Sequence, residues 1–277
     1  MTTYSGSQDI DHRKVTTSRL SDMKKAGRKV VCLTAYDALF ARLFDECGVD
    51  LILVGDSLGN VIQGHETTLS VTLEDTIYHT KAVVIGAKRP LIIADMPFMT
   101  FQVSADEAFR NAGRIMKESG CAGVKLEGAS QIIIKAVTRM TEAGIPVMGH
   151  LGLTPQSINK FGSYRARGKD PKEAEHIYED ALLLQEAGAF AIVLEKIPAE
   201  LAKKLTEALS IPTIGIGAGP YCDGQILVYS DMLGLTIDFN PRFVRRYAHL
   251  YDDIRESVNR YAEDIVNKNF PSIEESY

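Results

Sequence analysis

The sequence predicts an α/β fold, a TIM (β/α)8 barrel, and three observations support this fold class. The chain has 277 residues, 45% of them hydrophobic and 24% charged, as in ordinary globular domains. Short apolar runs alternate with longer amphipathic runs about eight times, at a spacing of roughly 30 residues, which is typical of parallel βαβ units. The first apolar run lacks the following G-x-G-x-x-G pattern of an open doubly wound sheet, the alternative fold.

The predicted strands are short, β-branched and apolar at nearly every position, as parallel strands buried on both faces are. Seven runs fit this description, and a weaker run supplies the eighth strand. The strands are predicted at 30–35, 51–55, 91–94, 123–127, 146–150, 190–195, 213–217 and 233–237.

Helical patterns separate these strands, and several of them end at a glycine that can close a helix: Gly48, Gly120, Gly144 and Gly188. Asp37 stands where the N-cap of the first of these helices is expected. The helices are predicted at 37–48, 73–87, 105–120, 130–144, 171–188 and 199–210.

Two further helical patterns lie outside the repeat. Residues 13–27 precede the first strand and are expected to plug the bottom of the barrel, and residues 241–268 form a long terminal helix. Because no linker divides the chain, we predict an N-terminal arm and helix at 1–29 and one barrel domain with a C-terminal helical extension at 30–277.

Composition excludes several classes of protein. The net charge of −5 gives no basic field for nucleic acid, and no apolar run approaches the roughly 20 residues of a membrane span. The N-terminal residues show no secretory signal, which predicts a cytoplasmic protein. The cysteines are scattered without C-x-x-C spacing and are expected to be reduced thiols: Cys32, Cys47, Cys121 and Cys222.

Ionisable side chains stand at the ends of five consecutive predicted strands. In a barrel the carboxyl ends of all strands meet at one mouth, so these side chains are expected to lie together. Lys125 and Glu127 are two residues apart and therefore face the same side of their strand. From the second strand to the sixth, the residues are Asp56 with Ser57, Asp95, Lys125 with Glu127, His150, and Glu195.

Three of these groups are carboxylates that would repel one another: Asp56, Asp95 and Glu127. A hard divalent cation removes that repulsion, and Mg²⁺ takes one or two carboxylates together with water and substrate oxygens. The absence of a Cys/His cluster in the sequence argues against zinc.

Each of these residues also has a structural explanation. The two aspartates and the serine can cap turns, and the lysine and glutamate of the fourth strand can form an internal ion pair. His150 can be a core histidine bonded to backbone. Glu195 can pair with Lys196 or Lys125. Their shared placement on successive strands favours a functional site.

The sequence segments that contain these strand-end residues resemble the ketopantoate hydroxymethyltransferase family. The combination of GDSLG, QGH and GHLGLTPQS is specific to that family. The sequence departs from the family pattern at residues 1–15 and 220–222, away from the predicted site. The similar segments are 34–46, 53–80, 94–101, 124–129, 149–169, 193–201 and 214–235.

The resemblance implies a barrel like those of the phosphoenolpyruvate and isocitrate-lyase enzymes, assembled into a homo-oligomer such as a decamer. It implies that Mg²⁺ is bound and that 5,10-methylenetetrahydrofolate donates a hydroxymethyl group to C3 of 3-methyl-2-oxobutanoate. The product would be 2-dehydropantoate, an intermediate of pantothenate synthesis.

The resemblance also implies a role for each strand-end residue. The oxoacid would chelate the metal, an enolate would form when a base removes the C3 proton, and a lysine would add positive charge beside it. The implied roles are metal binding by Asp56, Asp95 and Glu127, oxoacid binding by Asp56, Ser57, Asp95 and Lys125, proton acceptance by Glu195, and a supporting place for His150.

Two other functions remain open from the sequence. One is a Mg²⁺-dependent lyase or mutase that cleaves a bond in a 2-oxo acid, although Cys121 and Cys32 do not stand where such relatives place a reactive cysteine. The other is a non-catalytic barrel, which is expected to have lost a charged strand end. Dependence on folate separates the first from a transferase, and turnover separates the second.

Overall fold

The computed structural model describes residue 11 and residues 13–277. It divides into two compact units, Met1–Leu227 and Val228–Tyr277, which are described separately. Most of the predicted N-terminal arm, residues 1–10 and 12, lies outside the described residues, and the proposed division at residue 30 stays a prediction.

The first unit is a closed barrel in which each strand pairs in parallel with its neighbours in chain order and the last strand pairs with the first. The predicted fold class is therefore confirmed. The strands are β1 Val30–Thr34, β2 Leu51–Val54, β3 Leu91–Asp95, β4 Gly123–Glu127, β5 Val147–Gly152, β6 Ala191–Glu195, β7 Thr213–Ile216 and β8 Gly224–Leu227.

Helices precede and separate the strands where the sequence predicts them. The Asp37 side chain accepts hydrogen bonds from two backbone N–H groups at the start of its helix, which confirms the N-cap. The helices are α1 Thr17–Lys25, α2 Ala38–Glu46, α3 Leu58–Val61, α4 Leu73–Gly86, α5 Ala105–Ser119, α6 Gln131–Glu142, α7 Ile158–Phe161, α8 Pro171–Glu186 and α9 Ala199–Ala208.

The predicted eighth strand at 233–237 is wrong, because that segment is a turn and loop. The last strand is β8, which begins at Gly224. A Cβ atom at Gly224 would lie 2.6 Å from the carbonyl oxygen of Val30, so glycine allows β8 to approach β1. Glycine and glutamine interrupt the apolar run here, and the hydrophobic pattern therefore does not show the strand.

Helix α1 closes the amino-terminal end of the barrel, as predicted. Its Leu20 and Met23 are buried in one cluster with strand residues such as Leu51 and Leu91. Burial of this apolar face is the main force holding the helix there. Lys24 donates a hydrogen bond of 2.7 Å to Asp223, which lies just before β8.

The second unit contains a short helix, α10 Tyr229–Met232, and a long one, α11 Leu250–Val266. The predicted terminal helix at 241–268 is thus correct in place but begins later. Residues 251–266 of α11 are all exposed within the chain. Among the described residues, no helix is long and apolar enough to cross a membrane.

Candidate active site

Strand register brings the predicted residues together at the carboxyl ends of β2 to β6. Asp95 of β3 is the register partner of Lys125 of β4, and Glu127 of β4 is the register partner of His150 of β5. Partners on neighbouring parallel strands project to the same side. The register of the strands therefore places Asp95 beside Lys125, and Glu127 beside His150, at the barrel mouth.

Lys125 lies at the centre of the acidic part of the site. Its Nζ atom is 2.9 Å from Oδ2 of Asp95 and 3.9 Å from Oε1 of Glu127. The same Asp95 oxygen accepts a hydrogen bond of 3.2 Å from the backbone N–H of Asp56. These four residues are all buried, so the internal ion pair considered from sequence exists, with Asp95 as the closer partner.

The pKa values of the acids reflect this crowding. Burial, followed by the charges of Asp95 and Glu127, raises the pKa of Asp56 well above its usual range. Burial also raises the pKa of Asp95, against the opposing effect of Lys125. Burial works to lower the pKa of Lys125, but its acidic neighbours outweigh burial and raise it. Lys125 is therefore charged at neutral pH.

His150 connects two glutamates. Its Nδ1 atom lies 3.3 Å from Oε1 of Glu127, and its Nε2 atom lies 3.3 Å from Oε2 of Glu195. Glu195 ends β6, and its partner in register is Gly152, where a Cβ atom would lie 2.2 Å from the Glu195 carbonyl oxygen. Glycine at 152 thus permits the approach that places Glu195 beside the histidine.

The protonation of His150 follows from its neighbours. Its Nδ1 atom also lies 3.2 Å from Nζ of Lys125, and one nitrogen cannot both accept from that lysine and donate to Glu127. Burial and the Lys125 charge lower the pKa of His150, but the close contacts with the two glutamates outweigh them and raise it to about 9. We therefore assign a protonated imidazole that forms ion pairs with both carboxylates, without aligned hydrogen bonds, while Lys125 pairs with Asp95.

These contacts decide between the structural explanations considered from sequence. His150 contacts side chains of the site rather than being satisfied by backbone alone. Glu195 pairs with His150, whereas the Nζ atom of Lys196 donates to the backbone carbonyl oxygen of Tyr164 at 3.1 Å. Apart from Ser57, the predicted residues thus form one connected group running from Asp56 to Glu195.

Gln156 is a site residue that the sequence analysis did not single out. Its backbone N–H donates to Glu127 at 3.0 Å, and its side-chain amide donates to Asp56, also at 3.0 Å. The amide oxygen accepts a hydrogen bond of 3.0 Å from Gln102. Gln156 is buried in a short 3₁₀ turn after β5. The only available signal was its place in the GHLGLTPQS segment.

Ser57 stands beside this group and not within it. Its hydroxyl is 2.7 Å from the hydroxyl of Tyr36, a buried residue that lies two positions after β1 and that the sequence analysis also missed. The ring of His79 on α4 contacts the carbonyl oxygen of Tyr36 at 2.7 Å. These contacts hold the Ser57 hydroxyl next to Asp56 at the mouth.

The carboxylates offer oxygen donors of the kind that Mg²⁺ prefers. Across residues 11 and 13–277, no three His, Cys, Asp or Glu side chains are grouped so as to hold a metal unaided. Oδ1 of Asp95 and Oε1 of Glu127 are nevertheless buried without a hydrogen-bond partner among the described residues. Because Mg²⁺ needs only one or two carboxylates beside water and substrate oxygens, the donor set fits that ion.

Comparison with known proteins identifies the family. The profile of ketopantoate hydroxymethyltransferase matches residues 14–273. The chain is 57% identical over 274 residues to a 3-methyl-2-oxobutanoate hydroxymethyltransferase of Chlorobium phaeobacteroides, covering 98% of each chain. The chain belongs to the ketopantoate hydroxymethyltransferase family. The corresponding enzyme of Syntrophus aciditrophicus is 53% identical over 96% of this chain and 97% of its own.

Membership in the ketopantoate hydroxymethyltransferase family makes the chain an enzyme of the transferase class, as predicted, and sets aside the non-catalytic barrel. Solved structures agree on the fold. Phosphonopyruvate hydrolase in complex with oxalate and Mg²⁺ has a TM-score of 0.61 at 12% identity, covering 94% of this chain and 93% of its own. The structure of 2,3-dimethylmalate lyase, a member of the PEP mutase/isocitrate lyase superfamily, has a TM-score of 0.57 at 15% sequence identity. It covers 94% of this chain and 90% of its own.

Proposed function

We propose that this enzyme transfers a hydroxymethyl group from 5,10-methylenetetrahydrofolate to C3 of 3-methyl-2-oxobutanoate, giving 2-dehydropantoate for pantothenate synthesis. The observation that carries the proposal is the connected group of buried acids and bases at the barrel mouth, ending at Glu195. A reaction that removes a proton from a carbon next to a keto group needs a base on one side and positive charge on the other. The group provides both.

We propose that Asp56, Asp95 and Glu127 hold Mg²⁺. The two unpartnered oxygens and the raised pKa of Asp56 support this assignment, because a cation would relieve the repulsion among the acids. One or two of the carboxylates would bind directly and the remainder through water. When bound, Mg²⁺ would polarise the keto group of the oxoacid.

Glu195 is the proposed proton acceptor. Its side chain is 15% exposed, so one edge faces the mouth while Oε2 contacts His150. The protonated imidazole fixes the direction of this carboxylate and leaves its other oxygen to accept the C3 proton. His150 thereby acts as a positioning residue, and its link to Glu127 holds the ring in place.

Lys125 and Ser57 are proposed to bind the oxoacid together with Asp56 and Asp95. The Lys125 ammonium, charged and buried, would oppose the negative charge that develops on the substrate oxygen as the proton leaves. The Ser57 hydroxyl, oriented by Tyr36, can donate to the substrate carboxylate. Gln156 keeps Asp56 and Glu127 in position through its two hydrogen bonds.

We also propose a cytoplasmic homo-oligomer, such as a decamer. All four cysteines are free, which suits a reducing compartment. Helix α11 carries an exposed apolar stripe at a spacing of three and four residues, which is typical of a face that packs on another protein surface. The stripe consists of Tyr251, Ile254, Val258, Tyr261 and Ile265. Sedimentation of the purified protein tests the assembly.

The proposed reaction is tested by incubating the protein with 3-methyl-2-oxobutanoate and 5,10-methylenetetrahydrofolate, with Mg²⁺ or with a chelator. We expect 2-dehydropantoate only when both substrates and the metal are present. The lyase or mutase alternative predicts cleavage of a 2-oxo acid without folate. Only the fold supports that alternative, since the solved lyase relative shares 15% of residues whereas the transferase relative shares 57%.

A further inference from the structure

A strongly basic segment lies beside the proposed base. Residues 158–169, here called the basic loop, consist of the short helix α7 and the loop that follows it. They contain Lys160, Arg165, Arg167 and Lys169 and no acidic residue, in a chain whose net charge is −5. A local excess of positive charge at the edge of a cleft attracts anionic ligands. The proton transfer proposed for the connected group from Asp56 to Glu195 does not require these positive charges.

The basic loop is attached to the residue that follows Glu195. The ammonium of Lys196 donates to the carbonyl oxygen of Tyr164 at 3.1 Å, and the backbone N–H of Arg167 donates to the carbonyl oxygen of Lys196 at 2.8 Å. Lys196 itself has a φ of 47°, in the left-handed region that residues other than glycine rarely adopt. The loop is therefore fixed at the β6 side of the barrel mouth.

Of the four cationic side chains of the basic loop, one forms contacts that hold the loop in place and three do not. The guanidinium of Arg167 pairs with Glu173 and lies 4.2 Å above the ring of Phe161, so it braces the loop. Lys160, Arg165 and Lys169 are exposed, and among the described residues none of the three forms an ion pair. Their charges are available to a ligand.

Tyr164 adds an aromatic surface to the same loop. The residue is 52% exposed, and the Nζ atom of Lys196 lies 5.7 Å from the centroid of its ring. An aromatic ring that is about half exposed offers a surface for a stacking partner. The basic loop thus presents an aromatic ring and three cations, and it is attached at Lys196, the residue that follows Glu195.

We propose that the basic loop binds the one-carbon donor, with the Tyr164 ring stacked on the donor's aromatic system and Arg165 and Lys160 bound to its glutamate carboxylates. The inference rests on the proposed function. A folate donor is aromatic at one end and anionic at the other, and its methylene carbon must reach the acceptor carbon beside Glu195. Arginine binds carboxylates through paired hydrogen bonds, which suits the anionic tail.

The test uses two variants of the full chain, Tyr164→Ala and the double variant Lys160→Gln with Arg165→Gln. Steady-state transfer is measured with donors carrying one or three glutamates. We expect KM for the donor to rise about tenfold in each variant, which corresponds to about 1.4 kcal/mol. We expect the unmodified enzyme to have a lower KM for the donor with three glutamates than for the donor with one. In the double variant this difference disappears, and the salt dependence of the donor KM weakens.

Deuterium exchange at C3 of the oxoacid, which uses no donor, is followed in the same samples. We expect exchange within about twofold of the unmodified enzyme, because the contacts proposed for the loop are with the donor and not with the acceptor. The matched controls are Tyr78→Ala and Arg110→Gln, exposed residues of α4 and α5 outside the basic loop. Both controls keep the donor KM unchanged.

Two results would overturn the proposal. One is an unchanged donor KM in both loop variants, and the other is a parallel loss of exchange and transfer, which means that the loop merely supports the fold. Failure of the proposed function has a different signature, since the unmodified enzyme then shows neither exchange nor transfer with any donor.

Discussion

The two ends of the barrel use the same kinds of charged residue in different ways. Before β2 and β3, the buried Asp50 and Arg89 pair at 3.3 Å, and the other oxygen of Asp50 accepts a backbone hydrogen bond of 3.1 Å from Val31. At the opposite end, Asp95 and Glu127 keep buried oxygens without hydrogen-bond partners in the part of the chain described.

The difference indicates which end stabilises the fold and which end is built for chemistry. Charges at the amino-terminal end are neutralised within the chain, whereas the acids at the mouth outnumber the bases. Burial, together with the neighbouring acids, raises the pKa of Asp56. Conflicts of this kind are expected where a ligand completes the structure. Substitutions at the two ends should therefore have opposite effects on stability.

The largest expected effect is at the amino-terminal end. Arg89→Leu takes the buried guanidinium away from Asp50 and leaves it only the half-exposed Arg28 at 3.4 Å. Removing one member of a buried pair costs about 3–5 kcal/mol of unfolding free energy. Urea unfolding measures the loss, with Arg110→Leu on an exposed helix face as the control. C3–H exchange per folded molecule should be retained. A loss below about 1 kcal/mol would remove the stabilising role assigned to this end.

The next effect is a pH dependence at the mouth. The raised pKa of His150, about 9, means that the folded protein holds a proton that the unfolded chain releases near pH 6.5. Its contribution to stability is complete below about pH 6.5 and is lost as pH rises through about 9.

The unfolding free energy, measured in the presence of a chelator, should therefore decrease as the pH rises from about 6.5 to about 9. The slope should stay below about 1.4 kcal/mol per pH unit. His150→Asn should flatten the slope. The same slope in both proteins would contradict the protonated imidazole and favour a neutral ring that accepts from Lys125.

The smallest expected effect is a gain in stability. Asp56→Asn replaces an acid whose ionisation is disfavoured by burial, and in chelator it should raise the unfolding free energy by about 0.5–2 kcal/mol. The matched change at the other end, Asp50→Asn, should lower it.

The same Asp56→Asn variant should lose the increase in melting temperature that Mg²⁺ with oxoacid gives the unmodified enzyme, because ligands stabilise the state that binds them. An undiminished increase would show that Asp56 does not take part in metal binding.

Much of this arrangement could be predicted from sequence. Alternating strand and helix patterns identify the barrel, and polar residues after buried strands mark its mouth, because both signals are local. The contact between His150 and Glu195 could not be predicted, since it depends on the stagger between β5 and β6. Gln156 carries no periodic signal, and β8 is hidden by the glycine that lets it approach β1.

The most direct test of the account is proton NMR of 3-methyl-2-oxobutanoate in D₂O with the enzyme and its Glu195→Gln variant, each with and without Mg²⁺. Glu200→Gln, on the exposed face of α9, is the control. We expect the C3–H signal to disappear with the unmodified enzyme and Mg²⁺, and about 10²–10⁴-fold more slowly with Glu195→Gln, while oxoacid binding persists. Unchanged exchange in that variant would contradict the central claim that Glu195 removes the proton.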